Sequence, residues 1–485
     1  MLNRSVFMYL CAYMAPAAIG FLAVALYTHL LSPAEYGEYI IGMSVAGLVG
    51  ALFFTWIRLS ILRYQATSAA IDLRGTAIVT YGATTLVVAV LAPLLLLVLR
   101  PGMDARMLAA AIFMALTMSA FDIGQELRRA KLQPARFTLV AVLRSSLGFA
   151  FGFAAIKLGG GSLGLLVAVA ASFLIGGLFK TGIGTGAPMQ WIERDHIAQF
   201  VRYGLPLSIG GLSFALYSAG DRLVVAYLLG PEAAGLYGVS ADLARQFIVI
   251  LAASCASAAF PVVFRTLASE GPASARARLN ENAELLLAVI APVAVWLAVS
   301  ADVFASVMLG PQFRAGVPLL LPLLVTARLF GAFNQFYLQL SFQIAERPLL
   351  QVLEDTLILV VGVVFMAVLA YEFGLVGAAI ATVLTEATGL LIGWVLSRRA
   401  FAMPFPAARL VRVLAATVAL AAAASGAKLM VGNSGLLALG AVFLAGALAY
   451  GGTAYALDIA HVRSSLTALL RPYLAGSRAR ALVRG

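Results

Sequence analysis

The chain has 485 residues, of which 62% are apolar and only 11% charged. Soluble domains carry about 25% charged residues, so the composition excludes a soluble globular fold. The net charge of +12 does not point to nucleic acid, because the basic residues fall between apolar runs. There they report topology and contact with an anionic membrane surface.

A transmembrane helix needs roughly 20 mainly apolar residues, and such runs recur along nearly the whole sequence. About 14 spans are expected, near residues 6–30, 39–61, 76–99, 107–127, 137–157, 163–183, 204–229, 235–263, 285–308, 317–344, 351–371, 375–396, 409–430 and 434–456. Long continuous runs, in place of short alternating ones, exclude a barrel. The fold class is therefore an all-α polytopic membrane protein. The first run is too long for the core of a signal peptide and is expected to be a retained helix.

With the N-terminus inside, roughly 25 Lys and Arg residues fall in cytoplasmic segments. About five fall outside: Arg100, Arg106, Lys157, Arg314 and Lys428. That bias predicts both termini in the cytoplasm. The outer loops are short and rich in Gly and Pro, too small for a catalytic domain. Cys11 and Cys255 both lie within spans, so neither a disulfide nor a metal site is expected. The tail beyond Leu457 is basic, with an interfacial helix expected over 460–470.

An internal repeat is visible. Leu31, Pro33, Gly37 and Tyr39 follow the first span, and Leu229, Pro231, Gly235 and Tyr237 follow the seventh. Both sets fit L-x-P-x-x-x-G-x-Y, offset by 198 residues. Six spans preserve orientation, so parallel repeats are expected, related by an axis along the membrane normal. The organisation read from this is a six-helix lobe over 1–198 and a second over 199–400. Two extra helices (401–457) and a basic cytoplasmic tail (458–485) follow.

These motifs, with Arg63-Tyr64, Glu126–Arg129, Arg202–Pro206, Asp221-Arg222 and Phe260-Pro261, are shared with a known family. Over about residues 5–400 the chain resembles the polysaccharide-exporter branch of the multidrug/oligosaccharidyl-lipid/polysaccharide flippase superfamily, which includes O-antigen flippases. The resemblance implies two six-helix lobes around a central cavity that opens alternately to either side. It also implies a bacterial inner membrane location and an undecaprenyl-pyrophosphate-linked oligosaccharide as cargo. Polysaccharide polymerase and chain-length machinery are the partners it implies, beside membrane lipids and with no nucleic acid.

Charges at membrane depth are costly and face a bundle interior or a wet cavity. Asp221 and Arg222 precede the turn at Gly230, and Asp242 and Arg245 follow it, at a similar depth of about 10–15 Å by the helical rise. Two readings stay open. Asp221 with Arg245 and Arg222 with Asp242 form a charge lock, or the arginines face the cavity and take the lipid pyrophosphate. In the tenth span Arg328, Gln335, Gln339 and Gln343 fall on one helical stripe, flanked by Asn334, Phe336 and Tyr337. Amides beside aromatic rings suit sugar hydroxyls, and interhelical amide bonding is the alternative.

Arg58, near the end of the second span, either snorkels to the headgroups or captures phosphate at the cavity mouth. Asp122 and Glu126 are expected to pair with Arg129, and Glu354 and Asp355 to reach interfacial water. Glu386 lies mid-span with no basic residue near it in sequence, a candidate for ion coupling beside Asp221 and Asp242.

No phosphate-loop motif is present, since the Gly-rich stretches near 159–161 and 182–186 lack the following Lys-Ser/Thr. No ATPase activity and no cofactor are expected, and the drive must be an ion gradient, the membrane potential or consumption of the product. The reading is a lipid-linked oligosaccharide flippase, not an enzyme. A drug or small-cation antiporter of the same fold would favour an acidic, aromatic cavity. A membrane-embedded polymerase or glycosyltransferase would add a hydrophilic loop with catalytic carboxylates.

Overall fold

The computed structural model describes residues 2–67, 73–99, 104–131, 133–178, 194–210 and 212–463. Among the described residues every regular element is helical. Bilayer hydrocarbon offers backbone N–H and C=O groups no partner, and a helix satisfies them within the segment. The elements run α1 (Leu2–Leu30), α2 (Pro33–Thr67), α3 (Arg74–Leu99), α4 (Ala105–Ala130), α5 (Pro134–Lys157), α6 (Gly161–Leu178), α7 (Arg194–Gly210) and α8 (Leu212–Glu270). They continue with α9 (Pro272–Val299), α10 (Ala301–Met308), α11 (Val317–Phe333), α12 (Leu340–Ile344), α13 (Pro348–Ala400), α14 (Ala407–Val431) and α15 (Leu436–Ala456).

Eleven of these stretches are long and apolar enough to cross a membrane, and Met14–Leu30 is a shorter apolar helix. Two of the eleven are double. α8 breaks at Gly230 (φ 84°, ψ 176°) and α13 at Gly374 (φ 60°, ψ −139°), so each folds as two spans. The expected spans are thus all represented. The turn expected at Gly230 is a single-residue break, because glycine reaches positive φ without steric cost and Pro231 can open the next helix directly. Arg100, the 182–186 stretch and the tail beyond 463 lie outside the described residues.

The chain divides into two compact units. One holds residues 1–239, 309–316 and 355–382, and the other 240–308, 317–354 and 383–485. In the first unit α2 packs against α4, α6 and α7, and α5 against α1 and α6. The repeated motif lies at the heart of this unit. Ser32 caps α2 reciprocally with Glu35: Ser32 N–H donates to Glu35 Oε2 (2.9 Å) and Glu35 N–H to Ser32 Oγ (3.3 Å), a capping box. In the second copy Gly230 stands where Ser32 stands in the first, and a backbone turn replaces the cap. The two copies then cross. A Cβ on Gly37 would sit 1.8 Å from the Pro231 carbonyl oxygen, and one on Gly235 2.0 Å from that of Pro33.

In the second unit α9 packs against α11 and α14, and α14 against α15. Ion pairs pin α14, the first of the two C-terminal helices, at both ends. Arg409 Nη1 lies 3.0 Å from Glu284 Oε2, and Lys428 Nζ lies 2.7 Å from Asp302 Oδ1. The other faces of the two helices, with Leu414, Val418, Leu444 and Leu448, are exposed, as a lipid-facing surface requires.

Candidate functional site

The tenth span is not one regular helix. α11 passes at Asn334–Leu338 into a π-helical turn before α12 begins. A π turn inserts extra backbone per turn and is frequent at functional sites. It also removes the uniform spacing on which the glutamine stripe was reckoned. Gln335 is half-buried, Gln339 buried and Gln343 exposed, so the three do not share one environment.

Around this turn the second unit builds a polar centre. Arg328 Nη1 lies 3.3 Å from Glu386 Oε1, with side chains 16% and 6% exposed. Glu386 is therefore not a lone acid; its partner is 58 residues away in sequence. Asn334 Nδ2 donates to Glu354 Oε1 at 2.7 Å, and both residues are buried. Glu354 and Asp355 do not reach interfacial water as expected. α13 begins at Pro348, which carries both a turn or more inside the helix, and both are buried. Gln339 Oε1 accepts from Gln351 at 3.4 Å.

Two glycines make room for these carboxylates. A Cβ on Gly331 would meet Glu386 Oε2 at 2.5 Å, and one on Gly393 would meet Asn334 Oδ1 at 2.3 Å and Glu354 Oε1 at 2.6 Å. Tyr337 is fully buried, stacked on Phe333 (centroids 5.0 Å apart) and donating to the Pro404 carbonyl.

The first unit carries its own charged layer. Arg58 Nη1 lies 3.0 Å from Asp122 Oδ2, and Arg58 Nη2 lies 3.7 Å from Glu126 Oε1. Glu126 is 3.8 Å from Arg129. The expected pairing of both acids with Arg129 is thus corrected, since Asp122 turns to Arg58. Arg58 also lies deeper in its helix than its place near the end of the expected second span suggested. α2 continues to Thr67, which puts Arg58 about two and a half turns inside the helix. Arg144 in α5 escaped the sequence reading, although an arginine inside an apolar run was signal enough. Its guanidinium lies 3.6 Å from the centre of the Phe173 ring.

This all-helical framework carries a recognisable sequence. Residues 26–318, more than half of the chain, match the family described as "Polysaccharide biosynthesis protein". The chain belongs to that family. No curated protein matches it by sequence.

Solved structures give the polysaccharide biosynthesis chain its fold relatives. The lipid II flippase MurJ in an inward closed conformation is similar over 93% of this chain and 99% of its own, with TM-score 0.71 and 12% identity. An inward-facing multidrug resistance MATE family transporter of the MOP superfamily follows, with TM-score 0.61, 16% identity and 80% and 97% coverage. A MOP superfamily transporter from Pyrococcus furiosus, whose binding pocket is described as of reverse polarity, has TM-score 0.53, 17% identity and 81% and 94% coverage. At these identities the likeness establishes the fold alone.

The remaining candidates of this family member lie along α8. Asp221 Oδ2 accepts from the Tyr237 hydroxyl at 3.1 Å, which lies 2.8 Å from Thr382 Oγ1. Asp221 Oδ1 accepts from the Arg222 backbone N–H at 2.8 Å. The repeat's own tyrosine therefore orients the intramembrane acid, a link that no local spacing announces. Arg222 is half-buried in the first unit; in the second, Asp242 is half-buried and Arg245 exposed.

Proposed function

We propose that this member of the polysaccharide biosynthesis family is a flippase. It moves undecaprenyl-pyrophosphate-linked oligosaccharide from the cytoplasmic to the periplasmic leaflet of a bacterial inner membrane, with both termini cytoplasmic. The observation that carries the reading is the set of arginines within the helices, Arg58 with Asp122 and Arg328 with Glu386. Guanidinium groups at that depth suit a polar anionic headgroup and disfavour a cationic drug.

In this reading residues 1–198 and 199–400 work as two lobes around a central cavity that opens alternately to each side. Arg58, Arg222, Arg245 and Arg328 attract the pyrophosphate. Gln335 and Gln343, the amides with accessible surface, meet the saccharide first. Asn334, Tyr337 and Gln339, being buried, join when the π turn opens. Asp221, Asp242 and Glu386 couple the movement to an ion, Glu386 by exchanging Arg328 for a proton. The prenyl tail stays in lipid while the protein's polar groups replace the headgroup's water. Polymerase and chain-length machinery consume the product.

The test is a flipping assay in proteoliposomes with defined undecaprenyl-pyrophosphate saccharides, with and without a pH gradient. Movement of the saccharide, lost in Arg328→Ala at unchanged membrane levels, is expected. Transport of a cationic dye with no movement of the saccharide would establish an antiporter in its place.

A further inference from the structure

Arg144 is a half-buried cation that the ion pairs of the first unit do not absorb. Its polar contact is a long one, 3.5 Å from Nη1 to Ser145 Oγ. Its Nε is buried with no hydrogen-bond partner, as is that of Arg58. No carboxylate among the described residues pairs with it directly, although Asp122 is close enough to attract it. The ring of Phe173 supports the guanidinium from one side. That ring is itself buried and braced edge-on by Phe121 (centroids 5.5 Å apart). An aromatic face holds a guanidinium electrostatically without neutralising it, so its donors stay available in a way that a carboxylate partner would not allow.

The position matters as much as the lack of a partner. Arg58 is nine residues before the end of α2, Asp122 eight before the end of α4, and Arg144 ten after the start of α5. Those helix ends belong to one face of the unit. All three groups therefore lie about 12–15 Å in from that face at 1.5 Å per residue. Arg58 and Asp122 side chains are nonetheless 38% and 31% exposed. Charges exposed at such depth line a wet space, since hydrocarbon would not tolerate them.

We infer that Arg144 and Arg58 form a diphosphate-binding site across Asp122, with Arg144 as the recognition charge and Asp122 as the internal anion that the ligand displaces. The assignment rests on the anionic cargo proposed above and adds a residue and an occupancy rule to it. Without the ligand Asp122 pairs with Arg58 at 3.0 Å and attracts Arg144 from beyond contact distance. A diphosphate carries more charge and more acceptors than Asp122, and planar bidentate forks match its oxygens. Asp122 then competes with the ligand, so its removal strengthens binding.

The experiment measures binding to the full chain in phosphatidylcholine nanodiscs, with farnesyl pyrophosphate as the probe and inorganic pyrophosphate and phosphatidylglycerol as competitors. Arg144→Gln should raise Kd at least about tenfold, Arg144→Lys should fall between it and the wild type, and Asp122→Asn should lower Kd severalfold. If Arg144→Gln does not fold, the opposed shifts of Arg144→Lys and Asp122→Asn carry the test alone. Equal Kd for wild type and Arg144→Lys, or no tightening in Asp122→Asn, would overturn the site. So would competition by phosphatidylglycerol as strong as that by inorganic pyrophosphate.

Failure of the site and failure of the flippase reading separate cleanly. Arg144-dependent binding of farnesyl pyrophosphate without movement of a lipid-linked saccharide keeps the site and ends the transport proposal. Saccharide movement that Arg144→Gln leaves unchanged does the reverse.

Discussion

The two charged centres are built from the same residue types and differ in how they are closed. In the second unit Arg328 and Glu386 are 16% and 6% exposed, and the second carboxylate, Glu354, is tied to Asn334. In the first unit Arg58 and Asp122 are 38% and 31% exposed, and Arg144 brings an additional cation held by a ring. A closed, balanced pair is expensive to break and does not need a ligand. An open layer with surplus positive charge tolerates change in its internal pairs and gains from an added anion. In the proposed flippase the closed centre would switch and the open one would capture.

The largest test of this contrast is to remove one member of the closed pair. Glu386→Ala leaves Arg328 as an uncompensated buried charge and should destabilise the protein by about 3–5 kcal/mol. Thermal unfolding in detergent should show a clear fall in Tm, and the double variant Arg328→Met with Glu386→Leu should restore most of it. A double variant as unstable as Glu386→Ala would mean that the pair itself holds the fold.

The next effect is steric. Gly331→Ala puts a methyl where Glu386 Oε2 lies, 2.5 Å from the new carbon, and should cost about 1–3 kcal/mol by overpacking. Combining it with Glu386→Ala should cost less than the sum of the two alone, and strict additivity would refute the contact.

The smallest effect belongs to the open layer. Arg58→Gln breaks a partly exposed pair and should change stability by only about 0–1 kcal/mol, while lowering saccharide movement in proteoliposomes. A loss of Tm as large as that of Glu386→Ala would erase the distinction between the two centres.

Much of the architecture was legible in the sequence because lipid imposes a simple rule. Apolar runs must be helices, and Gly and Pro mark their ends, which located the spans and the repeat. The site was legible only in part, and the failures share a cause. Arg58 and Asp122 are 64 residues apart and Arg328 and Glu386 are 58 apart, so the partner that sets each charge's role is invisible to local spacing. Helical periodicity assumes a uniform turn, and the π turn at Asn334–Leu338 breaks that assumption where the stripe was drawn. Glu354 looked like a helix-end acid until the approach of α13 to Asn334 past Gly393 buried it. Arg144 offered no pattern for a different reason: the other charges of its helix, Arg136 and Lys157, are more than two turns away from it.

The crossing of the two repeat copies has a consequence for how this sequence can change over time. Gly37 faces the carbonyl of Pro231 and Gly235 that of Pro33, and a carbonyl oxygen, unlike a side chain, cannot be mutated to something smaller. Neither copy can therefore drift to alanine and be rescued by substitution in the other. Each is a template against which its twin is checked, so the motif's persistence over 198 residues reflects present contact as well as any shared ancestry. Gly37→Ala and Gly235→Ala together should then damage the protein little more than either alone, because the first already pushes the backbones apart.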